Sequence, residues 1–176
     1  MPFTRLHRLL DANHVEYATI AHPAAYCAQR IAALAHVPGH ELAKTVIVKV
    51  DGGLAMVVQD ATSMVPLSRV KAAIGAREVR LAREHEFREW FPDCDVGAMP
   101  PFGNLYGMEV FVTESLAADK EVAFCAGSHT QLIRLKYRDF ARFAHAIVIP
   151  GLAEPRSPRP RPAKTLIFRK QSVTCA

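Results

Sequence analysis

The sequence predicts a single α/β domain in which helices flank a mixed β-sheet. The chain of 176 residues is long enough for one ordinary domain, and half of its residues are hydrophobic, which is typical of a globular protein. Strand patterns and helix patterns alternate along most of the chain. One pair of strand patterns is joined by a tight turn whereas others are separated by a helix, so we expect both antiparallel and parallel pairing.

The first half of the chain carries eight predicted elements. They are, in order, a helix over 4–13, a strand over 15–21, a helix over 25–37, strands over 45–50 and 54–59, a helix over 66–74, a strand over 78–81 and a helix over 84–91. Leucines at helical spacing predict the first helix, and Pro38 with Gly39 ends the second. Asp51, Gly52 and Gly53 lie between two β-branched runs and predict the clearest hairpin.

The second half is predicted to begin with an irregular segment. Residues 92–107 fit neither a helix nor a strand, because five glycines or prolines fall between 97 and 107. Strands are then predicted over 109–113, 121–125 and 131–136, followed by an amphipathic helix over 138–145. We place the folded domain at residues 1–150.

The charge of the chain is concentrated at its end. Residues 1–150 carry 16 basic and 16 acidic side chains, whereas residues 151–176 carry six basic and one acidic. The formal charge of +5 therefore belongs to the tail. Prolines alternate with arginines there, which predicts an extended polyproline II or disordered segment. Any contact with a polyanion must come from this tail or from a local patch, since the domain itself is neutral.

Several classes of site are missing from the sequence. The motifs of serine hydrolases, zinc peptidases, phosphate-binding loops and dinucleotide-binding folds are absent. Cys27, Cys94, Cys125 and Cys175 form no CxxC pair, so we expect free thiols and no metal or redox cofactor. No apolar run is long enough to span a membrane and no signal-peptide pattern opens the chain. We therefore expect a cytoplasmic protein without a membrane partner.

Residues 97–103 are the sharpest local feature. Pro100 and Pro101 hold the segment extended, and the glycines at its two ends allow backbone geometries closed to other residues. The amide groups of this stiff loop are candidate donors to a carboxyl or ester oxygen. They are those of Ala98, Met99, Phe102 and Gly103. The alternative is a proline-rich surface turn.

Two further segments carry candidate polar groups. Lys44 begins an otherwise apolar strand, where its ammonium either contacts a phosphate or is simply a solvated strand end. The turn over 126–130 offers Gly127, the hydroxyls of Ser128 and Thr130, and the imidazole of His129. This imidazole can position a water or a ribose hydroxyl, although a lone histidine in a turn is more often structural.

Together these residues resemble one family. Lys44 on the first hairpin, the GxxxP segment from Gly97 to Pro101 and the turn with His129 occur in this order in the YbaK/EbsC-type aminoacyl-tRNA deacylases. The related editing (insertion) domain of bacterial prolyl-tRNA synthetase has the same pattern. The similarity covers about residues 15–145 and includes His22 with Pro23 and the helical residues 28–32. The tail is not part of the resemblance.

The resemblance implies an editing-domain fold and hydrolysis of mischarged aminoacyl-tRNA, bound by its 3′ acceptor end, without a cofactor. It implies that Lys44 contacts the terminal adenosine phosphate and that backbone donors from Gly97 to Pro101 grip the ester carbonyl. His129 would help to orient a hydroxyl or water. The ester is already activated and has a neighbouring ribose hydroxyl, so no protein nucleophile is required. An aminoacyl-tRNA synthetase is a further expected partner.

The walls of the pocket are the part that the sequence determines least. The candidates are His22, Tyr26, Met56, Met99 and Phe102, and each is also explained by ordinary packing. The edited amino acid stays open between alanine, cysteine, serine and a non-protein residue. Two alternatives to a trans-editing hydrolase remain. One is a non-catalytic module that binds a nucleotide or an aminoacyl group on the same fold, and the other is an unrelated small-molecule-binding protein.

Overall fold

The computed structural model describes residues 5–64 and 66–151 of the chain. Its helices are α1 (Arg5–Ala12), α2 (Ala28–Leu34), α3 (Leu67–Ile74), α4 (Glu84–Phe87), α5 (Glu114–Ala117) and α6 (Tyr137–Ala144). Its strands are β1 (Tyr17–Ala21), β2 (Ala43–Val50), β3 (Gly53–Asp60), β4 (Val79–Leu81), β5 (Glu109–Thr113), β6 (Glu121–Cys125), β7 (Gln131–Lys136) and β8 (Ile147–Ile149). Short 3-10 helices lie at Arg88–Trp90 and Gly103–Tyr106.

The strands form two sheets. One has five strands in the order β4-β2-β3-β5-β8, and the other has three in the order β1-β7-β6. β2 pairs antiparallel with β3 and β4, whereas β5 pairs parallel with β3 and β8. The second sheet is antiparallel throughout. An isolated parallel bridge between Leu42 and Ala123 connects the start of β2 to β6 and so joins the two sheets.

The β2–β3 hairpin turns through two residues in the left-handed region, Asp51 at φ 47° and Gly52 at φ 92°. This is the conformation that favours aspartate and glycine in two-residue hairpin turns. The Asp51 carboxylate accepts the N–H groups of Glu78 at 2.8 Å and Arg77 at 2.9 Å. These bonds lower the pKa of Asp51 and fasten the start of β4 to the hairpin.

The main core gathers side chains from both sheets and from α1 and α6. At its centre lie Phe102, Phe124 and Phe140, which are fully buried. Their ring centroids are 5.5, 5.6 and 6.2 Å apart, in tilted and edge-to-face arrangements that aromatic pairs favour. Because Phe102 directly follows Pro101, this core fixes the end of the proline-containing loop.

A second cluster of buried side chains holds α2 against the protein. Ile31 and Ala32 of α2 pack with Leu42 before β2, Ala123 of β6 and Leu132 of β7. The bridge that joins the two sheets therefore lies under α2. This packing sets the distance between α2 and the start of β2.

The α/β class with a mixed sheet is confirmed, and the strands over 109–113, 121–125 and 131–136 have the predicted bounds. The structure adds the second sheet, the single-turn helix α5 and the short strand β8. Helix α2 is shorter than predicted, because the Ala25 N–H donates to the carbonyl of His129 and His36 turns the chain at φ 53°.

The helices of the described residues are all too short or too polar to cross a membrane. The predicted basic tail lies outside the described residues, apart from Gly151.

Candidate active site

A cleft of about 330 Å³ opens beside α2. It is lined by the segment before α2 and its first turn, by the start of β2, by the loop that begins at Gly97 and by the end of β6. The lining residues are Tyr26, Cys27, Ala28, Gln29, Ile31, Leu42, Ala43, Lys44, Thr45, Gly97, Met99 and Cys125. The cleft therefore brings together parts of the chain that are nearly 100 residues apart in sequence.

Lys44 is the second residue of β2, where it lies opposite Gln59 of β3. Gln59 is fully buried, and its amide donates to the carbonyl of Ser63 at 2.8 Å, which anchors this end of the hairpin. The Lys44 side chain is exposed and forms no ion pair with any described residue. Its ammonium is thus available to an anionic group at the cleft.

The loop opposite Lys44 turns at Gly97, whose φ of 88° lies in the left-handed region. The Gly97 N–H donates to the sulfur of Met99 at 3.1 Å, and a thioether is a weak acceptor. The Ala98 N–H donates to the carbonyl of Asp95 at 3.0 Å. The Met99 N–H has no hydrogen-bond acceptor within residues 5–64 and 66–151. Of the two loop residues that line the cleft, Met99 therefore has an unused N–H donor, and the N–H of Gly97 has only a weak acceptor.

The rest of the loop supports it from behind. Pro101, Phe102 and Gly103 are buried, and the Phe102 N–H donates to the carbonyl of Pro100 at 2.8 Å. A Cβ at Gly103 would lie 2.9 Å from the carbonyl oxygen of Met108 and 3.1 Å from the sulfur of Met56. These residues pack into the core, so Phe102, Gly103 and Met56 do not line the cleft. Ala98 is also fully buried.

His129 connects the loop to the segment before α2. Its Nε2 lies 2.9 Å from the carbonyl oxygen of Val96, and because a carbonyl only accepts, Nε2 carries the proton. Its ring packs against that of Tyr26 with centroids 4.6 Å apart. A Cβ at Gly97 would lie 3.5 Å from this imidazole. The Nδ1 of His129 is buried and has no hydrogen-bond partner among the described residues.

The remaining residues of the 126–130 turn are used in backbone bonds. Gly127 exchanges two of them with the loop, accepting the Asp95 N–H at 2.8 Å and donating to Ala98 at 3.0 Å. The carbonyl of Thr130 accepts the His22 N–H at 2.9 Å. The hydroxyls of Ser128 and Thr130 lie 3.4 Å from each other. The turn therefore holds two neighbouring segments in place, and these three residues do not line the cleft.

His22 is 7% exposed and does not line the cleft either. Its Nδ1 lies 2.9 Å from the carbonyl oxygen of Pro23, to which the Nδ1–H donates. Its Nε2 is buried and has no partner within the described residues. The structure thus buries His22 and keeps it out of the cleft.

Of the residues singled out in the sequence, four line the cleft: Tyr26, Lys44, Gly97 and Met99. His129 contacts two of them. Sequence reasoning missed the apolar walls made by Cys27, Ile31, Leu42, Ala43 and Cys125. The helical spacing of α2 was a signal for Ile31. Nothing local marked Cys125 or Leu42, because the bridge between the two sheets brings them together.

The two cysteines of the cleft differ in environment. Cys27 is exposed, whereas Cys125 is partly buried, and burial raises the pKa of the Cys125 thiol to about 11. Cys125 is therefore a neutral thiol at physiological pH, suited to forming an apolar wall. Within the part of the chain that the structure describes, no three histidine, cysteine or acidic side chains are grouped as metal ligands would be.

Comparison with known proteins assigns the class of the fold. Residues 22–143 match the aminoacyl-tRNA editing domain family, and the chain belongs to this family. The matched residues include Lys44, the 97–103 loop and His129. A search of curated proteins found no match.

Solved structures share the fold. A hypothetical protein is 25% identical, with a TM-score of 0.75 over 86% of this chain and 100% of its own. A proposed trans-editing enzyme for prolyl-tRNA synthetase is 20% identical, with a TM-score of 0.72 over 86% of this chain and 96% of its own. A protein from a study that grafted epitopes onto scaffolds by computational design is 17% identical, with the same TM-score and coverage.

Proposed function

We propose that this chain is a trans-editing hydrolase that deacylates mischarged aminoacyl-tRNA. The observation that carries the proposal is that one cleft is lined by Lys44, which has no ionic partner among the described residues, and by Gly97 and Met99. The Met99 amide has no acceptor among those residues, and the Gly97 amide has only the weak thioether acceptor. A cation for a phosphate and backbone donors for a carbonyl are the two groups that an aminoacylated 3′ end requires. Membership of the aminoacyl-tRNA editing domain family supports it.

In this proposal Lys44 binds the phosphate of the terminal nucleotide and so sets the position of its ribose. The Met99 N–H donates to the ester carbonyl oxygen, which becomes negative as water adds. The Gly97 N–H joins it by exchanging the Met99 sulfur for this better acceptor. Fixed donors of this kind stabilise the developing charge more than the ground state.

The reaction needs no covalent intermediate with the protein. A water adds to the carbonyl carbon, the bond between that carbon and the ribose oxygen breaks, and the ribose oxygen takes a proton. The products are the free amino acid and a tRNA with a free 3′ end. The vicinal ribose hydroxyl lies next to the carbonyl and can orient the water, so positioning supplies much of the rate.

His129 acts on this chemistry indirectly. Its Nε2–H is bonded to Val96, so the imidazole holds the turn at Gly97 in place and does not move a proton. It is a positioning residue. The apolar walls of the cleft receive the amino-acid side chain.

The test is a deacylation panel. One tRNA is charged in separate reactions with alanine, cysteine, serine and proline, and loss of the ester is followed in the presence and absence of the full-length protein. We expect at least one ester to be hydrolysed faster than in buffer. Hydrolysis of none of them, with aminoacyl-tRNA still bound, would instead support the non-catalytic binding module.

A further inference from the structure

We infer that the exposed ring of Tyr26, held by His129, is the stacking surface for the terminal nucleobase of the tRNA. The inference rests on the proposed function, since it assigns one part of the same substrate to one residue of the cleft. Tyr26 is 79% exposed, although it lines the cleft. An aromatic side chain left this open beside a binding site provides a flat apolar face for a ligand.

The ring is fixed in position from one side. His129 packs on it at 4.6 Å between centroids, and the imidazole is itself bonded to Val96 at 2.9 Å. The backbone on either side is also held, because the Ala25 N–H donates to the His129 carbonyl at 3.3 Å and Cys27 leads directly into α2. Little freedom of the ring is lost when a ligand packs on its open side.

The cleft is too small to hold the nucleobase together with the amino-acid side chain. A volume of about 330 Å³ lies at the small end of the range for ligand sites, and the apolar walls are taken by the amino-acid side chain. With the ester at the Gly97 turn and the phosphate at Lys44, the base lies at the rim, where Tyr26 stands. Unpaired bases at RNA ends are typically bound by stacking on aromatic rings.

Stacking alone does not distinguish one base from another, because every base has a π-face. The Tyr26 ring therefore confers preference for an ester that carries a base, whatever the base, over an ester that carries none. We expect its loss to weaken binding about tenfold, toward the lower end of the range for removal of a stacking aromatic.

The experiment compares two small substrates made with the amino acid that the panel identifies. One is the 2′(3′)-aminoacyl ester of adenosine 5′-monophosphate, and the other is the corresponding ester of 1-O-methylribose 5-phosphate, which lacks the base. For Tyr26→Leu we expect KM to rise about tenfold for the first substrate, with kcat kept and with no change for the second. Tyr26→Phe keeps the ring and should behave as the wild type. Trp90→Leu, at another exposed aromatic outside the cleft, is the matched control.

Binding of two ligands that carry no ester distinguishes a failure of this inference from a failure of the proposed function. Adenosine 5′-monophosphate and ribose 5-phosphate are titrated into each variant, and affinity is read from amide chemical shifts. Wild type should bind the nucleotide more tightly, and Tyr26→Leu should bind both alike. If no ester is hydrolysed while this difference persists, the proposed function fails and the stacking surface stands. Equal effects of Tyr26→Leu on both substrates and both ligands, or no effect on either pair, would overturn the inference.

Discussion

Lys44 is the residue on which the proposed phosphate contact depends. Its side chain is exposed near the start of β2 and has no ionic partner among the described residues, so its removal costs the fold little. A lost contact to a charged group is worth about 1.5–3 kcal/mol, and we expect Lys44→Ala to lower kcat/KM for deacylation by about ten- to hundredfold. Lys71→Ala, at an exposed lysine in the last turn of α3, is the control. A folded Lys44→Ala protein with wild-type activity would remove Lys44 from the site.

Alkylation and substitution of Cys27 test whether a thiol takes part in the deacylation reaction. It is exposed and lines the cleft, whereas Cys125 is held protonated by burial. In a Cys175→Ser background, we expect N-ethylmaleimide to modify Cys27 before Cys125 and to slow deacylation, because the adduct occupies the cleft. Cys27→Ser should keep its activity and resist the reagent. The modified residues are identified by peptide mass spectrometry. If Cys27→Ser were inactive without reagent, the thiol would belong to the mechanism.

One buried carboxylate, that of Asp60, stabilises the chain at the end of strand β3. Asp60 is 2% exposed and pairs across the hairpin with Ala43, the residue before Lys44. It accepts the Thr62 N–H at 3.0 Å and the hydroxyls of Thr62, of Ser63 at 2.7 Å and of Ser115 at 3.2 Å. Burial alone would raise the pKa of Asp60, but these donors outweigh it and lower the pKa.

The sign of this shift predicts how stability depends on pH. A carboxylate with a lowered pKa in the folded state contributes stability above its ordinary pKa of about 4, and the contribution is lost as pH falls below that value. We expect Asp60→Asn to lower the free energy of unfolding by about 1–3 kcal/mol at pH 7, and the difference from wild type to shrink below pH 4. Asp95→Asn, at an exposed carboxylate that accepts no hydrogen bond from the described residues, is the control. Urea unfolding at several pH values measures the free energy of unfolding of each variant. A difference between wild type and Asp60→Asn that did not change with pH would contradict the role given to the ionised Asp60 carboxylate.

The elements that could be predicted from the sequence are those whose pattern is local. Strands β5, β6 and β7 follow from short runs that are rich in apolar residues, and the β2–β3 hairpin follows from its turn residues. Strand β8 is the β-branched run Ile147–Ile149, which favours a strand, but its place in the sheet is defined by its parallel pairing with β5. An element of three residues carries too short a pattern to be assigned from the sequence. The same holds for α5, which is a single turn.

The residues of the candidate site likewise fall into two groups, those that the local sequence marks and those that long-range packing places. Lys44 and Gly97 are marked by their chemical type and by the order of motifs along the chain. Phe102 was a candidate wall, yet it belongs to the core because Phe124 and Phe140 converge on it from distant segments. The place of Cys125 in the cleft likewise depends on the bridge between the two sheets. Side-chain direction set by long-range packing is what the sequence alone does not reveal.

The net charge of the chain and the residues that line the cleft lie in different parts of the sequence. Residues 1–150 have no net formal charge, whereas the segment after them carries the whole +5. A neutral domain exerts little long-range attraction on a polyanion. If tRNA is the substrate, most of the non-specific attraction must therefore come from the tail.

Deletion of residues 152–176 should leave the chemical step unchanged and weaken the binding of tRNA at low salt. The segment carries six basic side chains, and contacts between cations and phosphates gain their free energy largely from released counterions, so they fade as salt rises. We expect the truncated protein to have a higher KM than the full chain at low salt and a similar KM at moderate salt, with kcat equal throughout. A full-length variant with the six basic residues changed to glutamine separates charge from length and should match the truncated protein. Equal KM values at both salt concentrations would show that the tail makes no contribution to binding.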